Sequence, residues 1–183
     1  MGEGIAAKWL ELIKASTPKA ARVGVLRDPR NVAHASMLGE IDRAGRGIGI
    51  VARALDAASP NEIDGAIAAA HREIDAVIFL PQPAASADPR IVIRLAAKYR
   101  LPAVYLNRSF AEAGGLMSYG PRIADLWRGA AEFVDRILKG ARPADLPVDQ
   151  PTRFELVINR KTARTLGLTI PPALLLRADH VID

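Results

Sequence analysis

The chain has 183 residues, half of them hydrophobic, which suits one sizeable globular domain and excludes a disordered or fibrous chain. It has no cysteine, so disulfides, thiol nucleophiles and cysteine metal sites are excluded. The net charge of +5 is carried by arginines such as Arg27, Arg30, Arg43, Arg46 and Arg53 scattered among acidic residues; a nucleic-acid surface would gather them with aromatics, so no nucleic-acid partner is expected.

Met1 to Gly4 run directly into a helix that carries Lys8, Glu11 and Lys14, with neither an apolar core nor a cleavage pattern, so no signal peptide is expected. No apolar run approaches the ~20 residues that span a bilayer. As written, the chain is expected to be soluble and to stay in the cytoplasm.

Ile5, Trp9, Leu12 and Ile13 predict a helix over residues 5–16, stopped by Pro18, with Trp9 packed against the domain. A strand–helix alternation follows. Arg22-Val-Gly-Val-Leu-Arg27 is the first strand, and a helix runs from about His34 to Arg46. Gly49-Ile-Val-Ala-Arg-Ala54 is the second strand. Ser59-Pro-Asn-Glu62 opens the next helix with a capping box and Pro60 at its first position. Asp75-Ala-Val-Ile-Phe-Leu80 is the third strand, Asp88-Pro89 caps a helix, and Pro102-Ala-Val-Tyr-Leu106 is the fourth strand. Strands apolar throughout are those of a sheet covered by helices on both faces, and the βαβ order requires parallel pairing with right-handed crossovers. The fold class is therefore α/β, a Rossmann-like doubly wound sheet over residues 18–110. After it come a short strand, Leu116-Met-Ser-Tyr119, and a long helix from Pro121. Ile123, Leu126, Trp127, Ala130, Val134, Ile137 and Leu138 give that helix a wide apolar stripe, which Gly140 and Pro143 end. The last predicted elements are a strand Phe154-Glu-Leu-Val-Ile158 and a short helix capped by Asn159 and closed by Gly167.

Open parallel sheets bind ligands at the C-terminal ends of their strands, so the informative loops are 28–35, 81–86 and 107–110. The first leads into a helix N-terminus, where free N–H groups suit an anion such as a carboxylate. None has the glycine spacing of a nucleotide site, and Gly45-Arg-Gly-Ile-Gly49 precedes a strand and is a helix-to-strand turn; no cofactor is implied. The third strand ends in Leu80-Pro81-Gln82 and lacks the aspartate of a phospho-receiver. No Gly-x-Ser-x-Gly occurs, and His34, His71 and His180 show neither a nucleophile partner nor metal-ligand spacing. His71 reads as a solvated helix end. The chain thus has no catalytic constellation and is not expected to be an enzyme. Asn31, Gln82, Asn107, Ser118 and Tyr119 stand on loops or strand ends where a ligand would sit, and turn or cap chemistry accounts for such residues equally well.

Phe110-Ala-Glu-Ala-Gly-Gly-Leu-Met-Ser-Tyr-Gly-Pro121 resembles a signature segment of ABC-transporter substrate-binding proteins of the tryptophan/tyrosine-type family. Ile137-Leu-Lys-Gly-Ala-Arg-Pro-Ala-Asp-Leu-Pro147, Gln150-Pro-Thr-Arg-Phe-Glu-Leu-Val-Ile-Asn159 and Lys161-Thr-Ala-x-x-Leu-Gly-Leu-Thr-Ile-Pro171 continue the likeness over nearly the whole chain. The resemblance implies two Rossmann-like lobes that close on a small ligand, often an amino acid, and a membrane permease as partner in the periplasm. It implies ligand contacts from Asp28 and Asn31, from Gln82 and Pro83, from Asn107, and from Ser118 and Tyr119. Two departures stand out: Arg27-Asp28-Pro29 where the family often has Asn-Pro, and Gln82 where it often has an acid. Residues 1–110 are expected to form the ligand lobe, and residues 111–183 the hinge and segments of a partner lobe. The family's export signal and first lobe are not expected within this chain. Without that lobe the stripe through Trp127 and Val134 would be an exposed apolar patch, so a homodimer through residues 114–140 is expected. The alternative is a degenerate, non-binding protein that uses the stripe to assemble.

Overall fold

The computed structural model describes residues 4–86 and 88–183. The readings made for Met1 to Glu3 lie outside them.

The helices are α1 (Ile5–Ser16), α2 (Val32–Arg46), α3 (Pro60–Ala70), α4 (Pro83–Ser86), α5 (Pro89–Lys98), α6 (Arg108–Glu112), α7 (Ile123–Leu138), α8 (Arg160–Thr165) and α9 (Pro172–Leu175). The strands are β1 (Arg22–Arg27), β2 (Val51–Asp56), β3 (Ala76–Phe79), β4 (Ala103–Tyr105), β5 (Met117–Pro121), β6 (Phe154–Asn159) and β7 (His180–Ile182). All seven strands share one sheet in the order β2-β1-β3-β4-β5-β6-β7. Pairing is parallel except between β5 and β6. The strands after residue 110 continue the same sheet as those before it.

Helices cover both faces. On one, Trp9, Leu12 and Ile13 of α1 and Met37 and Ile41 of α2 pack on Val23, Val25, Ile78 and Val104. On the other, Ile63 and Ile67 of α3 and Val92 of α5 pack on Leu26, Phe79 and Tyr105. The chain changes face at β1, leaving by α2 on one side and returning from β2 by α3 on the other. The edge between β1 and β3 is thus the switch point of the sheet.

Several elements form as their residues dictate. Ser59 Oγ accepts from the Glu62 amide, and Glu62 in turn accepts from the Ala58 amide and the Ser59 hydroxyl, so the α3 cap closes reciprocally. Asp88 caps α5 by accepting from the Arg90 amide, and Asn159 caps α8 by accepting from Thr162. Trp9 is fully buried, and its indole N–H donates to the Tyr119 carbonyl at 2.8 Å.

Other boundaries differ from the sequence expectation. β2 starts at Val51 rather than Gly49, because Gly49 takes a φ of +70° and both Ile48 and Ile50 donate to the Gly45 carbonyl, closing a turn first. The long helix starts at Ile123, since Pro121 still pairs with Phe154 in the sheet. β3 and β4 are trimmed to the residues in register. His71 is half-buried rather than solvated, with its ring 4.6 Å from that of Tyr99 and Nδ1 2.7 Å from the Ala68 carbonyl. α7 buries none of its residues: Ile123, Leu126, Trp127, Val134, Ile137 and Leu138 are all exposed, Trp127 by 73%. No helix among the described residues is long and apolar enough to cross a membrane.

Candidate functional site

The strand register aligns the loops. Leu26 lies beside Phe79, Ile78 beside Val104, and Tyr105 beside Ser118. Asp28, Gln82 and Asn107 therefore emerge side by side past the ends of β1, β3 and β4. His34 ties the first two loops together: its Nδ1 accepts from the Asp28 amide at 3.0 Å, and Nε2 lies 3.0 Å from the Pro81 carbonyl. With Nδ1 accepting, Nε2 carries the proton and donates, so both ring nitrogens of this buried histidine are used structurally.

The charged groups of this edge are matched internally. Arg30 donates from Nε to Asp28 Oδ1 at 2.9 Å and from a terminal nitrogen to Oδ2 at 2.8 Å, and its amide also bonds Oδ1. The Arg30 side-chain hydrogen bonds, followed by its amide, hold the Asp28 carboxyl down to about 2. Arg108 donates to Glu112 at 3.0 and 2.8 Å and to the buried Glu155 at 3.1 Å. That last pair ties the start of α6 to β6.

The uncharged groups are not matched. A narrow crevice between the ends of β3 and β4 is lined by Pro81, Gln82, Ser86, Tyr105, Asn107 and Phe110, among others. Gln82 is 3% exposed, yet neither its Oε1 nor its Nε2 has a partner among the described residues; the same holds for Asn107 Oδ1 and the Tyr105 hydroxyl. Native proteins pair such buried atoms, at a cost of about 1–3 kcal/mol each when left unpaired. Tyr105 is 1% exposed and stacked between Phe79 and Phe110, with ring centroids 5.1 and 5.0 Å away. Burial pushes its phenol up, so it stays protonated and able to donate.

The structure thus brings Asp28, Gln82 and Asn107 to one edge, with Asn31 and Pro83 exposed beside them. Asn31 accepts from the Ala33 amide as the cap of α2, and Pro83 begins α4. Asn107 stands at the N-cap of α6 without a side-chain cap bond, which leaves its carboxamide to the crevice. Ser118 and Tyr119 do not line the crevice. Ser118 shares the face of Tyr105, buried with an unpartnered hydroxyl, and Tyr119 turns to the opposite face and stacks on Phe154 at 5.7 Å. Tyr105 and Arg30 were not foreseen. The signal for Arg30 was an Asp-x-Arg spacing that closes on itself, and the signal for Tyr105 was the lone hydroxyl in an apolar strand. Among the described residues no cluster of histidine and carboxylates could hold a metal ion.

The pattern of the ABC transporter substrate binding protein family matches residues 3–182. A tyrosine-binding protein of Clostridioides difficile is 27% identical over 165 residues, which cover 88% of this chain and 47% of that protein. Among solved structures, an ABC domain from Streptococcus pneumonia in complex with L-Trp is similar with a TM-score of 0.89 and 28% identity. A conserved domain protein from Vibrio cholerae has the same TM-score at 26% identity, and each alignment covers 97% of this chain and 60% of the other. This chain therefore spans about half the length of the curated relative and three fifths of these structures.

Proposed function

Because this chain belongs to the ABC transporter substrate binding protein family, we propose that it binds a small organic ligand, an amino acid above all, at the C-terminal edge of its sheet and serves an ABC-type transport system. The carrying observation is the crevice at that edge, where Gln82, Asn107 and Tyr105 hold buried hydrogen-bonding atoms that no group among the described residues uses. The names of the relatives, one tyrosine-binding and one complexed with L-Trp, support an amino acid as the ligand. Asp28, Asn31, Gln82, Pro83 and Asn107 are the contacts proposed from this edge. Ser118 and Tyr119, which do not line this crevice, would reach a ligand only from the far side of β5, as part of the wall toward a second lobe. The working partner is an ABC permease, and the place of work is outside the cytoplasmic membrane.

Residues 1–110 carry the ligand loops in this scheme. Of residues 111–183, β5 to β7 complete the sheet, and α7 faces the second lobe or, where that is lacking, a second copy of the chain. Calorimetry and thermal-shift screening against the amino acids test the ligand reading. A saturable ligand that raises the melting temperature supports it, and silence across the panel removes it.

A second reading is favoured by α7, whose apolar stripe is exposed from Ile123 to Leu138. The chain would then be a non-binding member that assembles through residues 114–140. Ligand silence together with a stable dimer would select this reading over the first.

A further inference from the structure

The crevice at the sheet edge separates charge from hydrogen bonding. Each ionic group flanking it is already compensated: Asp28 by Arg30 on one side, and Arg108 by Glu112 and Glu155 on the other. Among the described residues, the buried crevice atoms left without a protein partner are all neutral: both ends of the Gln82 carboxamide, the Asn107 carbonyl oxygen and the Tyr105 hydroxyl. An ammonium placed here would meet no free carboxylate, and a carboxylate would meet no free guanidinium while facing the acceptors of Gln82 and Asn107. Either ion would lose its hydration to a site offering only neutral dipoles. A group that donates and accepts without a net charge loses little on entry, and it can use the Gln82 donor and acceptor together.

We propose that this crevice receives the uncharged donor–acceptor end of the ligand, a carboxamide or hydroxyl group, and that the ligand's ionic groups are recognised elsewhere. The proposal rests on the ligand-binding reading above and narrows it to one chemical class at one subsite. Gln82 is the specificity-determining residue, because its buried carboxamide presents a donor and an acceptor on separate atoms side by side.

The test uses three probes of one shape on the full chain: benzamide, benzoate and benzylammonium. Binding is followed by 15N NMR through the side-chain amide signals of Gln82 and Asn107. Benzamide is expected to shift both signals and to bind about tenfold tighter than either ion, the order of one mismatched hydrogen bond. In Gln82→Glu the order is expected to invert in favour of benzylammonium. Should that variant fail to fold, the half-buried position supports the same comparison in Asn107→Asp. Equal or tighter binding of benzoate or benzylammonium to the wild type would overturn the proposal, as would three probes that leave the Gln82 signal unmoved. An amino acid that still binds in calorimetry under either outcome would leave the proposed function standing and remove only this subsite.

Discussion

Asp28 shows how local chemistry at a single residue shapes the edge of the site. Its carboxylate is lowered to about 2 by Arg30, against an ordinary aspartate value near 4. A carboxyl lowered in the folded state contributes stability above its unfolded value and loses it as pH falls through the folded one. The stability difference between wild type and Asp28→Asn should therefore be constant above about pH 5 and shrink between about pH 4 and 2. Urea melts across that range check it; a difference independent of pH would mean that the ion pair does not persist in solution. The place of Asp28, Gln82 and Asn107 at one edge was legible from sequence because each follows an apolar strand, and topology sends such residues to the C-terminal edge of the sheet. Tyr105 was not, since a phenol inside Ala103-Val-Tyr105 reads as core until its stacking between Phe79 and Phe110 is seen. The face of Ser118 was not legible either. Its place near a strand end is legible, but the face it takes follows from its register with Tyr105.

Among the elements, β5 passes close to the chain just beyond β4 at Gly120, where an added Cβ would run into the Leu106 carbonyl oxygen. The backbone that leads into Asn107 is set by this approach and by the bond from Arg108 to Glu155. Gly120→Ala should cost about 2 kcal/mol or more in chemical denaturation, because backbone atoms must move. Gly65, exposed inside α3 with open space around it, is the matched control, and Gly65→Ala should add about 1 kcal/mol. Similar effects at both positions would show that helix propensity and close approach had been wrongly separated. α1, β1, α3 and α5 were readable because their stripes, caps and prolines agree with one another. β7 was not, since His180-Val-Ile182 is three residues long and forms only by pairing with β6. α4 and α6 are likewise too short to show a helical period.

For the molecule as a whole, one sheet carries the candidate site on its C-terminal edge and an apolar helix that the other described residues do not cover. The stripe of α7 was fully legible from its spacing; what covers it depends on a surface outside this fold. If a second copy does so, the chain should sediment as a dimer at micromolar concentration and Trp127→Glu as a monomer with an unchanged melting profile. A monomeric wild type with α7 intact would remove self-pairing. The central claim is that the crevice at the sheet edge is a ligand site, and calorimetry of the best-binding amino acid against wild type and Gln82→Met tests it most directly. Methionine keeps the volume of Gln82 but offers neither a comparable donor nor acceptor, so the account predicts affinity lower by about tenfold or more with folding retained. Equal affinity in the two proteins would contradict it.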